Sequence, residues 1–413
     1  MRRTEEVGVY DVIVVGGGPA GLYAADRLAR YGWSVAVFEE HAEIGLPVHC
    51  TGLLAADAFS RFALPRVPIL ARHSATRFYS PSDYQITYQA PAIATVVIDR
   101  SCFDRELAKQ AVTAGASVFL GERVLRVQRD PEAIVVHTAR KTVAGKLLVL
   151  ATGAAYHLHR ELGLRFPRQF VQTAQAEADF APTTEVELYF GSAVAPGSFA
   201  WILPIQRSGR PKARIGLMAN RDAEGRFQRF LRSAPVVSRL QGEPPIRFRR
   251  RPIPLAPLPR TFGPRVLVVG DAAGLTKPTT GGGIYYGLLS AEFAAHAARH
   301  ALATADFSAE CLARYQRTWK AQFGRDLWWG RWFRRHAEQF TDAQIDDAFR
   351  LATCDSVSQI IREHAVFNWH GRLIHALVKQ KSVRHFLLRT VVTKGAQLMR
   401  WRPEPGVFRE LSV

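Results

Sequence analysis

The stretch DVIVVGGGPAGLYAADRLARYGWSVAVFEE, residues Asp11–Glu40, decides the fold of this chain. Tyr10–Val15 is a short unbroken apolar run of the kind that forms a buried parallel strand, Pro19–Tyr31 has helical patterning, and Ser34–Phe38 is a second apolar run. The chain therefore opens on a βαβ unit. Between the first strand and the helix lies Gly16-x-Gly18-x-x-Gly21, with Ala20 in the same turn. Gly16 permits the tight turn, Gly18 carries no side chain to block a diphosphate, and Gly21 lets helix and strand approach closely. Pro19 suits the first helical turn, where its missing N–H has no partner to lose. The free amides there, with the helix dipole, favour a dianionic group. A carboxylate at the end of the second strand accepts hydrogen bonds from an adenosine ribose, and Glu39 stands there, 18 residues past Gly21, with Glu40 as the alternative. An acid in this place disfavours a 2′-phosphate, so the site suits FAD or NAD rather than NADP.

A second element, VLVVGDAAGLTKPTTGGGIYYGLLSAEFAA (Val266–Ala295), answers the first. Gly270 and Asp271 close an apolar strand, and Gly281, Gly282 and Gly283 precede a helix beginning at Ile284. Asp271 is placed to meet a ribityl or diphosphate group, and the helix N-terminus to face the N1–C2=O edge of a flavin, where its dipole favours the reduced anion. The plainer alternative is a glycine-rich loop made for packing.

Between these elements the pattern changes. Thr76–Tyr79 and Tyr84–Tyr88 read as a hairpin, Cys102–Ala114 as a helix, and EVELYFG (Glu185–Gly191), SFAWILPI (Ser198–Ile205) and ARIGLMA (Ala213–Ala219) as alternating strands. The fold class expected is α/β, a three-layer Rossmann-like FAD-binding domain with an inserted antiparallel β-sheet substrate domain and a helical C-terminal region. The expected boundaries give residues 1–70, 95–155 and 260–300 to the discontinuous FAD-binding domain. Residues 71–94 and 156–259 fall to the sheet domain, and 301–413 to the helical region.

DVIVVGGGPAGLYAA, VIDRSCFDRELAKQA, the Ala151–Gly153 turn and GDAAGLTKPTTGGGI together resemble the para-hydroxybenzoate hydroxylase-like flavoproteins, a group that includes the geranylgeranyl reductases. Two details are more similar to the geranylgeranyl reductase family. PVHCTGLL (Pro47–Leu54) resembles the cysteine–glycine loop these reductases place beside the flavin, and PGSFAWILP (Pro196–Pro204) resembles their substrate strand, with Phe199 in place of a tyrosine and Leu203 in place of a phenylalanine. The resemblance implies FAD contacts from Cys50, Thr51, Leu53, Arg100, the backbone near Val124, Gly283 and Ile284. It also implies substrate contacts from Pro196, Phe199, Trp201 and Pro204. Arg100, between a strand and a helix, is a sensible phosphate-directed guanidinium or else a surface arginine. Cys50 is a candidate reactive group or a buried inert thiol, and His49 a candidate proton donor or a satisfied histidine.

The resemblance implies a reductase that passes hydride from flavin N5 to a carbon–carbon double bond of a polyprenyl group on a lipid, pigment, quinone or diphosphate. The rival readings are an FAD-dependent aromatic monooxygenase and a non-catalytic prenyl-lipid escort. No second dinucleotide fingerprint is present, which leaves NAD(P)H or ferredoxin as electron donor.

A net charge of +19 attracts phosphate-bearing partners, and with no zinc spacing and no nucleic-acid motif it favours anionic lipid or a phosphorylated substrate over nucleic acid. Oligomeric state is not legible. Four scattered cysteines without a CxxC pair suit a reducing, cytoplasmic compartment. The absence of an 18-residue apolar run leaves only peripheral membrane contact. From Arg372 to Arg402 eight Lys or Arg residues stand without one acid among apolar residues. Such a stretch either lies on an anionic membrane or packs as a solvated helix. Trp328, Trp329, Trp332 and Phe333, interleaved with arginines, border the mouth of a lipid pocket or sit in a core.

Overall fold

The computed structural model describes residues 9–244 and 248–392. Its first sheet has eight strands, with a parallel centre in the order Val266–Val268, Thr142–Leu150, Val9–Val15, Val35–Phe38, Ser117–Phe119. Val12, Ile13 and Val14 are fully buried at its middle, as a continuous apolar strand requires when both faces are covered. Antiparallel Phe262–Gly263 extends one edge, and Ile134–His137 pairs with Thr142–Leu150 and carries Arg126–Arg129 on its other side. Helix Pro19–Arg30 lies between helices Arg100–Thr113 and Ile284–Thr304. Asp99 starts the middle of these chain segments as an N-cap, accepting from the Ser101 and Cys102 amides at 3.0 and 3.2 Å.

The second sheet has seven strands, in the order Arg249–Pro254, Phe170–Asp179, Arg210–Ala219, Ala200–Arg207, Val186–Tyr189, Ala75–Tyr79, Gln85–Gln89. It departs from the all-antiparallel expectation at one place: Val186–Tyr189 runs parallel to Ala75–Tyr79, because those strands are delivered by separate excursions from the first sheet. The register puts Trp201, Gly216, Gln175 and Arg249 in one row across four strands, with Met218, Thr173 and Arg251 two residues along on the same face. A small third sheet, Leu53–Ala55, Thr95–Ile98 and Ile69–His73, has no counterpart in the sequence reading; it anchors the Cys50 loop.

The C-terminal helices include Arg325–Ala337, Asp342–Ala352, Asp355–His364, His370–Lys379 and Lys381–Val392. Buried Asp346 ties them to the sheet, accepting from Ser80 Oγ at 2.5 Å and Ser82 Oγ at 2.6 Å, and Asp342 takes the Ser192 amide at 2.7 Å. Lys394, Arg400 and Arg402 of the basic stretch lie outside the described residues. No described helix is long and apolar enough to cross a membrane.

Candidate active site

The glycine turn shows what each glycine is for. A β-carbon at Gly21 would overlap the Gly16 carbonyl oxygen, and one at Gly16, whose φ is +111°, would overlap Ala151 O, so both are required by backbone contact. Gly18 differs: a β-carbon there meets nothing within 4 Å. The amides of the helix N-terminus thus face open space, the arrangement an incoming diphosphate needs. Ala20 points away from that space, toward Gly270 and Gly287, where the two helices cross closely. Glu39 accepts the Gly17 amide at 2.7 Å on Oε2 and the His41 amide at 3.0 Å on Oε1, where the His41 ring Nδ1 also lies, so it braces the turn and leaves Oε2 a second lone pair for a ribose. Glu40 instead faces Arg123 on the surface, at 3.5 Å.

The second element closes the cradle. A β-carbon at Gly283 would come within 2.7 Å of Asp271 Oδ1, and one at Gly281 within 3.0 Å of Met218 Sδ and Ile253 Cδ1. The turn before Ile284 is therefore squeezed between the nucleotide strand and the Trp201 face of the seven-stranded sheet. The Asp271 carboxylate accepts no hydrogen bond from a described residue, and burial raises its pKa against the pull of Arg251 and Arg100. Gly282 lies over Lys277, whose ammonium donates to Phe367 O at 3.0 Å and sits 3.9 Å from the Phe367 ring centroid. Burial lowers Lys277 to about 7, with Asp326 opposing.

The Cys50 loop meets this cradle through arginines. Arg100 makes a bidentate pair with Asp104 at 3.0 and 2.8 Å and also contacts the Cys50 thiol. Arg214 donates to Thr51 O and to Ile98 O and pairs with Glu177 at 3.2 Å, pinning the loop beside Leu53. His49 is half-buried among Arg251, Arg249 and Arg100, and its Nδ1 has no partner. Burial and then those arginines lower its pKa to about 4, so at neutral pH it is an uncharged imidazole rather than an imidazolium acid. The Val124 carbonyl is taken by His157 Nε2 at 3.1 Å.

Half-buried His370, near Lys277, contacts Thr279 Oγ1 at 2.6 Å and is likewise lowered, by desolvation and then by Lys277, to about 3. The unfolded chain binds protons on both imidazoles below about pH 6.5 whereas the fold refuses them, so unfolding takes up protons and stability falls with pH. We expect the midpoint of thermal unfolding to drop steadily from pH 6.5 toward pH 4, and the slope to flatten in His370→Asn. An unchanged slope in that variant refutes the assignment.

Between the seven-stranded sheet and the C-terminal helices lies a cavity of about 350 Å³, lined by Phe190, Phe199, Trp332, Phe349, Ile374 and Phe386 among others, with Thr279 at the cofactor-turn side. Pro196 and Phe199 line it, as do Trp332 and Phe333, whereas Trp328 and Trp329 do not. Trp201 stands behind Phe199, rings 6.2 Å apart at 62°, with its indole laid over Gly216 and its Nε1 unpartnered. Pro204 is elsewhere: it is buried, and its carbonyl accepts from His73 Nε2 at 3.1 Å. The sequence reading did not single out Arg214, Arg251 or Lys277, and it took Arg334 only as one of the arginines interleaved with Trp328–Phe333. Only the strand register turns Arg251 inward, where a Gly153 β-carbon would strike its guanidinium.

This nucleotide cradle, with its open Gly18 and its orphaned donors, fits FAD. The chain is an FAD-dependent oxidoreductase. Residues 10–178 match the pyridine nucleotide-disulphide oxidoreductase family. The digeranylgeranylglycerophospholipid reductase of Methanocaldococcus jannaschii is 30% identical over 363 residues, covering 84% of this chain and 90% of that one. Digeranylgeranylglycerophospholipid reductase 2 of Methanothermobacter thermautotrophicus is 30% identical over 85% of this chain and 94% of its own. A geranylgeranyl bacteriochlorophyll reductase-like protein from Thermoplasma acidophilum superposes with a TM-score of 0.81 at 23% identity, over 94% of this chain and 100% of that one. More distant in fold is halogenase PltM, solved with phloroglucinol and FAD, at a TM-score of 0.65 and 15% identity over 92% and 85%. The chain belongs to the geranylgeranyl reductase family.

Proposed function

We propose that the protein hydrogenates carbon–carbon double bonds of a polyprenyl chain carried by a lipid, as the names of its relatives indicate for them. The observation that carries this reading is the apolar cavity, whose volume lies in the range of about 300–1,000 Å³ for small-molecule sites and whose wall is aromatic and aliphatic. FAD, when bound, supplies hydride from its reduced ring. The chain's own part is positional. Phe199 and Phe190 form the wall against which an isoprenoid lies flat, while Met218, Ile253 and Trp201 close the sheet side of the cofactor turn and exclude water. Gly16, Gly18, Gly21, Glu39, Asp271 and Gly281–Gly283 hold the cofactor, with Cys50 and Thr51 on the loop across from it and Arg100 at the start of the helix beside that loop. Phe199 offers no hydroxyl, so alkene position is set by shape alone at that point.

Anaerobic incubation of dithionite-reduced protein with digeranylgeranylglyceryl phosphate tests the reading. The expected product gains two hydrogens per reduced double bond. A parallel incubation with oxygen admitted that yields a hydroxylated product, with no hydrogenation in the anaerobic one, instead identifies a monooxygenase, and bound flavin that resists reduction while lipid still binds identifies an escort.

The same helices that line the cavity carry the basic face. Ile374, Leu377, Val383 and Phe386 point inward, whereas Arg372, Lys379, Lys381, Arg384 and Arg389 are exposed beside Leu388. This division supports a peripheral seat on an anionic bilayer from which the lipid enters. Reversing Lys379, Lys381 and Arg384 to Glu is expected to weaken sedimentation with phosphatidylglycerol vesicles by at least about 100-fold, at roughly 1 kcal/mol per removed cation. Binding indifferent to the reversal or to salt excludes that seat.

A further inference from the structure

One buried cation stands directly against the turn that leads into helix Ile284–Thr304. Lys277 is 4% exposed, and its backbone closes that turn: its amide donates to Gly282 O at 3.0 Å while its carbonyl accepts the Gly281 amide at 2.8 Å. The side chain then folds back under the glycines, since a β-carbon at Gly282 would come within 2.6 Å of Lys277 Cε and 3.3 Å of its Nζ. Every close partner of the ammonium is neutral. It donates to Phe367 O at 3.0 Å, lies 3.5 Å from Asn368 Oδ1 and sits 3.9 Å from the Phe367 ring centroid. Among the described residues no carboxylate is within ion-pair distance of it. Asp326 and Asp57 act on it only from further off, and Asp326 is already engaged, accepting the Gly371 amide at 2.7 Å at the start of helix His370–Lys379. His370, the other titratable neighbour, is held neutral.

Burying an ammonium without a counter-charge is costly, and such a group is rarely retained without a use. Packing does not account for it, because an uncharged side chain of similar length would fill the same space under Gly282. An anion that forms at the turn for part of the catalytic cycle does account for it. A flavin reduced at neutral pH takes up two electrons and a proton and becomes an anion, with the charge spread over N1 and the C2 carbonyl. The N-terminal end of helix Ile284–Thr304 offers that edge a partial positive charge. Lys277 sets a whole charge behind the same turn, in a site of low dielectric where its field reaches further than in water.

We propose that Lys277 is the counter-charge of the reduced cofactor: through the Gly281–Gly283 turn it makes the site hold reduced, anionic FAD more tightly than oxidised FAD. It is a positioning residue, since the turn and not the lysine meets the ring. The inference rests on the placement of FAD at that turn and is independent of what the apolar cavity holds. Its consequence for the reaction is that electrons enter the flavin more readily and leave it less readily.

The test is the reduction potential of FAD bound to the full chain, measured anaerobically against reference dyes at pH 7 beside free FAD. The difference between the two potentials gives the ratio of the dissociation constants of oxidised and reduced FAD, and each tenfold in that ratio is about 30 mV for a two-electron couple. At pH 7 burial leaves the ammonium partly protonated beside the oxidised ring, and the anion draws the rest of the proton on. The parent is expected to hold reduced FAD at least tenfold more tightly than oxidised FAD. Lys277→Gln, which keeps a donor for Phe367 O, and Lys277→Met are each expected to lower that ratio at least tenfold. Lys277→Arg is expected to stay within about threefold of the parent.

A parent whose bound FAD has a potential at or below that of the free cofactor overturns the proposal whether or not any variant folds. So does a ratio undiminished in the neutral variants, or a Lys277→Arg protein that behaves like Lys277→Gln, which marks the fit of the lysine and not its charge. A parent that holds no FAD removes the cofactor reading together with this inference. Hydrogenation is a separate matter: the expected ratios without any reduction of a polyprenyl lipid remove the reductase reading and leave the role of Lys277 standing.

Discussion

Gly21→Ala is expected to yield no soluble flavoprotein, whereas Gly18→Ala, three residues away in the same turn, is expected to fold normally and lose flavin. The contrast follows from what each added methyl meets. At position 21 it overlaps the Gly16 carbonyl and comes within 3.1 Å of Ala151 Cβ. Gly16 cannot retreat, because its own φ of +111° and its contact with Ala151 O already fix it. Helix and strand must part, which breaks the packing around Val12–Val15 at the centre of the core. A loss beyond about 4–5 kcal/mol belongs to the exceptional class of point mutations and approaches the whole stability of a typical domain. At position 18 no atom lies within 4 Å, so the melting point of the cofactor-free protein should match the parent within about a degree. Flavin content per polypeptide after reconstitution should nonetheless fall at least tenfold, since the methyl occupies the space in front of the helix amides. A Gly18→Ala protein that binds FAD like the parent places the diphosphate elsewhere and removes the basis of the cradle.

The second large effect is expected at Arg100. Its side chain is 14% exposed and that of its bidentate partner Asp104 only 6%, so Arg100→Met strands a carboxylate inside helix Arg100–Thr113. Removing one member of a buried pair typically costs about 3–5 kcal/mol, while removing both for apolar residues is close to neutral. Denaturant titration should therefore show a marked loss in Arg100→Met and recovery of most of it in Arg100→Met with Asp104→Leu. The double variant also separates structure from function. Arg100 touches Cys50 and lies near Asp271, so the refolded double variant is expected to hold FAD at least tenfold more weakly than the parent. If it holds FAD equally well, Arg100 serves the helix alone and its assignment to the cofactor fails.

The parts of the site that were legible share one property: their chemistry is local. The Gly16, Gly18, Gly21 spacing, Glu39 after it, and the triple glycine before Ile284 act through backbone amides within a few residues of one another. Their meaning survives without knowledge of the partner strands. The hairpin around Ser80 and the strand at Trp201 were legible too, because alternation announces a strand. Alternation does not announce a neighbour. The reading of Pro204 as a substrate contact took four positions of a motif as one surface, yet the strand's later residues turn to His73 and the core around Leu203. His49 was a candidate acid because it stands beside Cys50. Burial, and then arginine neighbours that arrive from positions 251, 249 and 100, hold it neutral.

By itself the chain's order of residues determined that there is a dinucleotide cradle, that it suits FAD or NAD, and that a β-rich lobe interrupts it. Short-range sterics of glycine and the periods of strand and helix are enough for that. Only the folded molecule decided that Trp201, Gly216, Gln175 and Arg249 share a row, that Arg214 pins Thr51 from 163 residues away, and that six separate stretches enclose a cavity. Those are consequences of strand register and helix docking. They depend on which apolar faces cover one another best across the whole chain, and no local pattern carries that information.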